Sequence, residues 1–372
     1  MKFIVIGAGI LGASTAYHLA KSGAEVIIID RKDEGQATDA AAGIVCPWLS
    51  QRRNKAWYQL AKGGASYYPR LIKELEAFGE TNTGYKKVGA ISIRKEESKL
   101  EAMEERAKKR REGAPEIGEI TRLTPQETKN LFPPLADGYG AVHISGAARV
   151  DGRLMRDALH RAALKHGASF INGRAKLSPT NGNIAVTVND EQITADKIIV
   201  TAGIWAKELL LPLGIDFKVE AQKAQIAHLQ IPNVDTSLWP VVMPPSDHYL
   251  LAFDDSRIVA GATHENNANL DSRVTPAGLL EIFDKALRIA PNLADSTLIE
   301  TRVGFRPVTP GFLPVVGKLP RNENILVANG LGSSGLTTGP YIGAELAKLA
   351  LEKEEELDID LSLYPVEGAI EL

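Results

Sequence analysis

Cysteine is almost absent from this chain, which has one such residue, Cys46, among 372. A single cysteine excludes an internal disulfide framework and a metal site built from several cysteines. Net charge is also small, because 43 basic side chains nearly balance 46 acidic ones and leave a formal charge of −3. Such a balance offers no electrostatic footprint for nucleic acid. We therefore expect no nucleic-acid partner, and a reducing cytoplasm fits the cysteine content.

Long apolar runs and common hydrolytic motifs are missing as well. No stretch of 18 or more apolar residues occurs, so the sequence predicts no transmembrane segment, although peripheral membrane association stays open. There is no HExxH pattern, no Ser/His/Asp triad pattern and no paired-carboxylate motif. The apolar start behind Lys2 could pass for a secretion signal, but glycines interrupt it and we expect it to be retained. The length suggests two domains.

What the chain does have is a strand, turn, helix and strand pattern at its start that ends in an acid. Apolar Phe3–Ile6 run into the turn GAGILG at residues 7–12, a helical pattern follows, and apolar Val26–Ile29 lead to Asp30. An isolated glycine-rich turn is weak evidence, because such turns are common between strands and helices. Here the helix, the second strand and the acid all have the spacing of a βαβ dinucleotide site.

Each glycine of this pattern, and the acid that ends it, has a physical role. Gly7 permits the tight turn, Gly9 lets the backbone approach a pyrophosphate, and Gly12 lets the helix pack close to the strand. Free N–H groups at the helix start face the phosphate charge. The carboxylate of Asp30 can accept hydrogen bonds from ribose hydroxyls, and it would repel a 2′-phosphate. The pattern therefore predicts FAD or NAD rather than NADP.

Buried strands that end in glycine turns return twice later in the chain. Lys197–Trp205 form one, and Ile325–Gly330 form another before a glycine-rich turn and a helix from about Pro340 to Glu352. From about Phe217 to Thr301, strands alternate with polar turns, which is typical of an antiparallel sheet. We therefore predict an α/β fold, with a Rossmann-like nucleotide domain and an inserted antiparallel-sheet substrate domain. The nucleotide domain would take residues 1–85, 145–216 and 302–372, and the substrate domain residues 86–144 and 217–301.

A helix is predicted after residue 150. Asp151 is suited to be its N-cap, because its carboxylate can accept from free backbone N–H groups. We expect this helix to reach about His166. The apolar spacing suggests that Leu154, Leu159 and Leu164 face inward.

Three separated motifs together resemble the D-amino-acid oxidase superfamily of FAD enzymes, which includes glycine oxidase, sarcosine oxidase and the small subunit of D-amino-acid dehydrogenase. They are the N-terminal pattern with Asp30, TDAAAG at residues 38–43, and GFRPVTP at 304–310 followed by the segment 329–337. TAGIW at 201–205 is a looser match. The resemblance spans the whole chain in the right order, and glycine oxidase looks nearest in length.

The resemblance implies an extended FAD, since an NAD enzyme would have no reason to carry the last two motifs. The flavin would be noncovalent, because sarcosine oxidases attach it through a cysteine near the segment of Arg306, where this chain has none. Cys46 is then expected to be a small buried residue near the flavin. The residues expected at the cofactor are Gly7, Gly9, Ile10, Leu11, Gly12, Asp30, Arg31, Ala37, Thr38, Ala42, Gly43, Ile44, Lys176, Ala202, Gly203, Trp205, Gly330, Leu331, Gly332, Ser333, Ser334, Gly335, Leu336 and Thr337.

Arg306 is the strongest candidate for substrate binding. By the resemblance it anchors a substrate carboxylate, and a guanidinium fork suits that group; a structural ion pair is the alternative. Arg302 has even spacing from Arg306 and so shares its strand face, although we expect it to be paired within the protein. Tyr249 could donate to the same carboxylate or pack on the sheet. His248 alternates to the other face and is expected at the surface, whereas His264 could approach the cleft.

The implied reaction is oxidation of the C–N bond of glycine, sarcosine or a small D-amino acid by hydride transfer to flavin N5, giving an imine that hydrolyses. No catalytic side chain is certain, and whether one acts as general base stays open. The electron acceptor would be O2 or a quinone. Alternatives are an FAD dehydrogenase of 2-hydroxy acids, an electron-transfer subunit, and a non-catalytic FAD-binding protein. The oligomeric state also stays open, with a homo-oligomer as one possibility.

Overall fold

Strands and helices alternate along the chain in the computed structural model, which describes residues 1–180, 183–266 and 269–371. The strands are β1 (Lys2–Ile6), β2 (Glu25–Asp30), β3 (Ile44–Val45), β4 (Tyr85–Lys87), β5 (Ala90–Arg94), β6 (Ile120–Leu123), β7 (Gly140–Ile144), β8 (Ala148–Val150), β9 (Ser169–Asn172), β10 (Lys176–Thr180), β11 (Asn183–Val188), β12 (Glu191–Ile193), β13 (Lys197–Val200), β14 (Asp216–Phe217), β15 (Glu220–Gln230), β16 (Val241–Met243), β17 (Tyr249–Ala252), β18 (Arg257–Gly261), β19 (Thr297–Val308), β20 (Val315–Leu319), β21 (Asn322–Asn329) and β22 (Ile370–Glu371). The helices are α1 (Ile10–Lys21), α2 (Ala37–Ala40), α3 (Lys55–Ala77), α4 (Glu97–Arg111), α5 (Pro125–Leu131), α6 (Gly152–Lys165), α7 (Ala206–Leu210), α8 (Pro276–Ile289) and α9 (Gly335–Ala350).

A six-stranded sheet in the order β20-β21-β13-β1-β2-β9 forms the first half of the fold. Its pairs are parallel except for β20 with β21. Alternate residues of β1 enter different cores: Phe3 and Val5 join one apolar cluster, Ile4 and Ile6 the other. Both faces are therefore covered, which is the usual situation of a parallel sheet and explains why its strands are apolar throughout. Helices α1, α6 and α9 pack together on one side.

An eight-stranded sheet in the order β19-β15-β18-β17-β16-β5-β7-β6 forms the second half. Its pairs are antiparallel except for β16 with β5. Helix α8 packs on β15 and β18, and Ile282 on that helix is fully buried. The predicted α/β class, with a Rossmann-like parallel sheet and a separate antiparallel sheet, is confirmed.

The strands run across most of the expected domain boundaries. The boundaries after residues 85, 216 and 301 fall inside β4, β14 and β19, whereas the one after residue 144 falls between β7 and β8. Residues 302–308 therefore belong to a strand of the eight-stranded sheet, because β19 pairs with β15 from Glu220↔Val308 to Gln230↔Thr297. The division into two domains remains a proposal.

Helix α6 confirms the prediction made for residues after 150. The Asp151 carboxylate accepts from the N–H groups of Arg153 (3.0 Å) and Leu154 (3.3 Å), and the helix ends at Lys165. The inward orientation expected for Leu164 is wrong, since its side chain is 46% exposed while Leu159 is fully buried. Five residues turn a helix by about 140° beyond one full turn, so these two leucines cannot share a face.

Membrane-spanning helices and metal-binding clusters are both absent from the described ranges. No helix there is both long and apolar enough to cross a membrane. No group of three or more His, Cys, Asp or Glu side chains there is arranged to hold a metal ion.

Candidate active site

A cavity of about 910 Å³ lies where the carboxyl ends of the parallel strands meet the eight-stranded sheet. This is the edge at which open α/β sheets bind their ligands. Among the residues expected at the cofactor, those that line it are Gly7, Gly9, Ile10, Leu11, Asp30, Arg31, Ala37, Thr38, Ala42, Gly43, Ile44, Lys176, Ala202, Gly203, Trp205, Leu331, Gly332, Ser333, Gly335, Leu336 and Thr337. Arg306 and Tyr249 line the same cavity.

The turn between β1 and α1 presents bare backbone to the cavity. Gly7 has φ +99°, and a Cβ there would lie 2.6 Å from the carbonyl oxygen of Thr201. Helix α1 has no cap from the side chain of its own N-cap residue, and the Thr38 hydroxyl accepts from the N–H of Ile10 at 3.0 Å. The positive end of a helix behind a glycine turn fits a pyrophosphate.

Three of the expected cofactor residues, Gly12, Gly330 and Ser334, do not line the cavity. A Cβ on Gly12 would lie 1.8 Å from the carbonyl oxygen of Gly7, so this glycine permits the contact of α1 with the turn. A Cβ on Gly330 would lie 1.8 Å from the Thr309 hydroxyl. The Ser334 hydroxyl accepts from the indole N–H of Trp57 at 2.8 Å and lines a neighbouring cavity instead.

The Asp30 carboxylate is fixed at the end of β2. One oxygen accepts from the N–H of Ala8 at 2.6 Å, and the other from the N–H of Lys32 at 2.5 Å and the amide of Gln36 at 2.9 Å. The oxygen that accepts only from Ala8 keeps a lone pair for a further donor, so the arrangement fits a ribose hydroxyl. Gln36 also lines the cavity, and no sequence pattern pointed to it.

Cationic and aromatic side chains lie beyond Asp30 at the same end. The Arg31 guanidinium lies over the Trp205 ring at 5.9 Å and pairs with Glu208 at 2.6 Å. Lys176, the first residue of β10, lines the cavity nearby. A flat ring such as adenine fits between side chains of this kind.

The other end of the cavity is formed by the turn Leu331–Thr337 before α9. Asn329 ties it to the turn after β13: its amide donates to the carbonyl of Gly203 at 2.8 Å, and its oxygen accepts from the N–H of Gly330 at 2.7 Å. The Thr337 hydroxyl donates to the carbonyl of Ile44 at 2.7 Å. Helix α9 begins here without a side-chain cap, and its first residues, Gly335–Thr337, line the cavity, so the positive end of the helix lies at the cavity wall.

Arg306 is a partly buried cation whose hydrogen-bond partners are neutral. Its guanidinium donates to the Gln222 amide oxygen at 3.1 Å and to the carbonyl of Thr263 at 3.3 Å. Within the part of the chain that the structure describes, no carboxylate forms an ion pair with it. Burial lowers its pKa from the ordinary value, while Tyr249 and Asp247 oppose that shift. The alternative of a structural ion pair therefore finds no support in the described residues.

Tyr249 lies beside Arg306, and its phenol interacts with the guanidinium. Burial raises the pKa of Tyr249 to about 12, although Arg306 opposes the shift. The hydroxyl therefore stays protonated near neutral pH and remains a donor. Tyr249 faces the cavity, as the resemblance implied, rather than packing only on the sheet.

Arg302 does not reach the cavity, so the structure does not support its proposed contact with substrate. Its guanidinium pairs with Glu300 at 2.7 Å and donates to the carbonyl of Asp39 at 3.4 Å. Gly304 lies between Arg302 and Arg306 on β19, and α2 packs against it: a Cβ there would lie 2.7 Å from the Cβ of Ala40. The helix thus separates two arginines that share a strand face.

Two histidines near Tyr249 differ from each other. His248 was expected at the surface, and this is wrong: it is 7% exposed, because α8 covers that face and brings Glu281 to 3.9 Å from its Nε2. His264 lines the cavity, and its Nδ1 lies 3.3 Å from Asp247. Asp247 also lines the cavity, and sequence reasoning missed it.

Cys46 is buried, as expected, and only 5% exposed. Burial raises the pKa of its thiol to about 12, so the thiolate is disfavoured. The residue lines a second cavity of about 120 Å³, which shares Ile44, Ser333 and Thr337 with the main one.

The parallel sheet, the glycine turn, the acid at the end of β2 and the second turn before α9 define a flavoprotein of the Rossmann-like class. The chain belongs to the FAD-dependent oxidoreductase family, whose sequence model matches residues 2–349. This is the D-amino-acid oxidase family that the motifs predicted, so the predicted FAD cofactor and the enzyme class are confirmed.

Known relatives cover the chain almost from end to end. An uncharacterised oxidoreductase of Bacillus subtilis, YurR, is 64% identical over 99% of both chains. The solved iminodiacetate oxidase of Chelativorans sp. BNC1 is 47% identical, with a TM-score of 0.94 over 98% of both chains. Glycine oxidase of Pseudomonas aeruginosa is 27% identical over 96% of both chains.

Proposed function

We propose that the protein oxidises the C–N bond of a small carboxylated amine. The candidates are glycine, sarcosine, a related N-substituted glycine such as iminodiacetate, and a small D-amino acid. The observation that carries this proposal is Arg306, a partly buried guanidinium that lines the cavity and forms no ion pair with a described residue.

Arg306 supports a carboxylated substrate on energetic grounds. Partial burial of a cation costs free energy that an anion can offset, and a carboxylate can bond to a guanidinium through both oxygens. Tyr249 adds a phenol donor at the same place. The names of the iminodiacetate and glycine oxidases describe substrates that combine a carboxylate with an amine.

The chain positions the reactants rather than supplying a nucleophile. When bound, FAD accepts a hydride from the carbon that carries the amine. The turn at Gly7–Leu11 and the start of α1 would hold its phosphates, and Asp30 a ribose. The backbone of Leu331–Thr337 and the start of α9 would stabilise negative charge on the flavin ring. Arg306 and Tyr249 then fix the substrate, so orientation supplies much of the rate. We further propose that the flavin is noncovalent.

Anaerobic bleaching of the flavin in the purified holoprotein tests the proposal. The panel contains glycine, sarcosine, iminodiacetate, D-alanine, D-proline, L-proline and lactate, with methylamine as the matched amine that lacks a carboxylate. At least one carboxylated amine should bleach the flavin and methylamine should not. Bleaching by lactate alone would establish a 2-hydroxy-acid dehydrogenase, and no bleaching by any compound would refute the proposal. Admitting O2 afterwards and measuring peroxide separates an oxidase from an enzyme that uses a quinone.

A further inference from the structure

One carboxylate at the cavity wall holds two histidine rings. Asp247 Oδ1 lies 3.0 Å from Nδ1 of His248, and Asp247 Oδ2 lies 3.3 Å from Nδ1 of His264. Asp247 and His264 line the cavity together with Tyr249 and Arg306. The four residues meet because β17, β18, β15 and β19 are neighbours in the eight-stranded sheet.

The two rings differ in what they can reach. His248 is enclosed beneath α8, with a side chain that is 5% exposed. The side chain of His264 is 34% exposed and faces both the cavity and solvent. Only a ring that is open both to the cavity and to solvent can take a proton from a bound molecule and pass it to water.

The contact with Asp247 decides which nitrogen of His264 is available. In a neutral imidazole one nitrogen is a donor and the other an acceptor. A proton on Nδ1 of His264 faces the carboxylate of Asp247, which leaves the lone pair of Nε2 free to accept. A carboxylate in this position also stabilises the imidazolium that forms when Nε2 takes up a proton.

The charges of the wall match an amino-acid zwitterion. Arg306 offers a place for the substrate carboxylate, whereas the Asp247 carboxylate attracts a cation. An amine bound near neutral pH arrives as an ammonium, and it must lose a proton before its neighbouring carbon can give up a hydride.

We propose that His264, oriented by Asp247, is the base that accepts this proton. The proposal rests on the amine-oxidising function proposed above. An N–H bond of the substrate ammonium breaks and its electron pair stays on nitrogen, while an N–H bond forms at Nε2 of His264. The proton then leaves through the exposed edge of the ring to water. No electron is transferred in this step.

The charged groups around His264 set the pH range in which it can act. Burial lowers its pKa below 6.5, and Arg306 and His248 lower it further, whereas Asp247 and Glu281 oppose the shift. Lys285 lies 3.6 Å from Asp247. The ring is therefore neutral and able to accept a proton near neutral pH. This ability is lost as the pH falls through the pKa of His264.

The test compares His264→Gln with the wild-type holoenzyme by anaerobic stopped-flow reduction with sarcosine across pH. Wild type should reach a plateau near neutral pH. The variant should be slower at pH 7 by on the order of 10³-fold. Its rate should then rise about tenfold per pH unit towards the pKa of the substrate ammonium and approach wild type there, because only free amine can react. Asp247→Asn should give an intermediate profile.

Two controls separate a base from a structural residue. His143→Gln removes a histidine of β7 that does not line the cavity, and its profile should match wild type. Acetate, a carboxylate without an amine, should perturb the flavin spectrum of His264→Gln with the wild-type affinity, since Arg306 remains.

Three results are decisive. An unchanged pH profile in His264→Gln, or a loss of acetate binding in it, would overturn the assignment of His264 and leave the amine-oxidising function standing. Failure of every amine to bleach the wild-type flavin would instead overturn the proposed function. Recovery of the variant rate at high pH with acetate binding intact supports the base.

Discussion

At the scale of single residues, the surroundings decide what an arginine does. Arg302 and Arg306 lie on one face of β19, yet Arg302 pairs with Glu300 at 2.7 Å while Arg306 has neutral partners. Helix α2, which packs on Gly304, separates them. Glu300 already neutralises the Arg302 guanidinium, whereas a partly buried guanidinium without an ion pair can bind an anion from outside.

Replacing Arg306 tests this distinction. We expect Arg306→Ala to keep its flavin but to raise the KM for carboxylated amines about 10²-fold or more. The variant loses a pair of charge-assisted hydrogen bonds to the substrate carboxylate, which contribute about 3 kcal/mol to binding. Steady-state kinetics with glycine and sarcosine measures this. Arg302→Lys is the matched control: it keeps a cation near Glu300 and should leave KM unchanged. Equal KM values for Arg306→Ala and wild type would contradict the role of Arg306.

The sequence predicted some site residues and missed others for a physical reason. Asp30 and Arg306 carry chemistry within local motifs, so spacing and the family resemblance found them. Asp247 and His248 depend on which helix covers the end of β17, and that cover comes from α8, about thirty residues further along the chain. Strand alternation alone put His248 on a free face, because the position of a helix on a sheet cannot be obtained from period-two spacing.

At the scale of elements, a glycine sets the distance between helix α1 and the turn that precedes it. A Cβ on Gly12 would lie 1.8 Å from the carbonyl oxygen of Gly7 and 2.5 Å from the Thr201 hydroxyl. The obstacle at Gly7 is backbone and cannot rotate away. The pattern at residues 7–12 therefore predicted the local fold well, because each glycine answers a nearby steric requirement.

Gly12→Ala should displace the start of α1 and with it the N–H groups that face the phosphate site. We expect the purified variant to contain little flavin and to lose about 1–3 kcal/mol of unfolding free energy, the usual range for overpacking. Flavin absorbance and urea unfolding measure both. Gly368→Ala is the control, because nothing lies within 4 Å of a Cβ there and its φ is not positive. Full flavin content and wild-type stability in Gly12→Ala would show that the helix can move without loss.

At the scale of the whole molecule, the cavity exists because two sheets meet, and a partly buried ion pair connects their surroundings. Asp151 caps α6, which packs on α1 beside the parallel sheet, and its carboxylate pairs with Arg257 of β18 at 3.1 Å. Arg257 also lies 3.2 Å from Nδ1 of His228. The cap of α6 could be predicted from the sequence, but the pair could not, because Arg257 lies in the other sheet, 106 residues further along the chain.

The pair should make stability depend on pH in the acid range. Burial opposes ionisation of Asp151, but Arg257 and the N–H of Leu154 outweigh it and lower its pKa in the folded state. A depressed carboxyl pKa contributes stability above the pKa of the unfolded chain, and that contribution is lost as the pH falls through the folded-state value. Asp151→Asn keeps the cap, because Asn caps as well as Asp, but removes the charge. Its unfolding free energy should be lower by about 2 kcal/mol at pH 7, less than for a fully buried pair because Arg257 is partly exposed.

Urea unfolding of Asp151→Asn and wild type between pH 7 and pH 3 tests the connection between the sheets. The difference in unfolding free energy should shrink as the pH falls through the folded-state pKa of Asp151. Asp137→Asn serves as control, because Asp137 is 87% exposed in its pair with Lys129 and such surface pairs contribute less than about 1 kcal/mol. If the difference persists unchanged at pH 3, the loss in Asp151→Asn comes from the cap or from packing. The two sheets would then be held in register by apolar contacts and not by this charge.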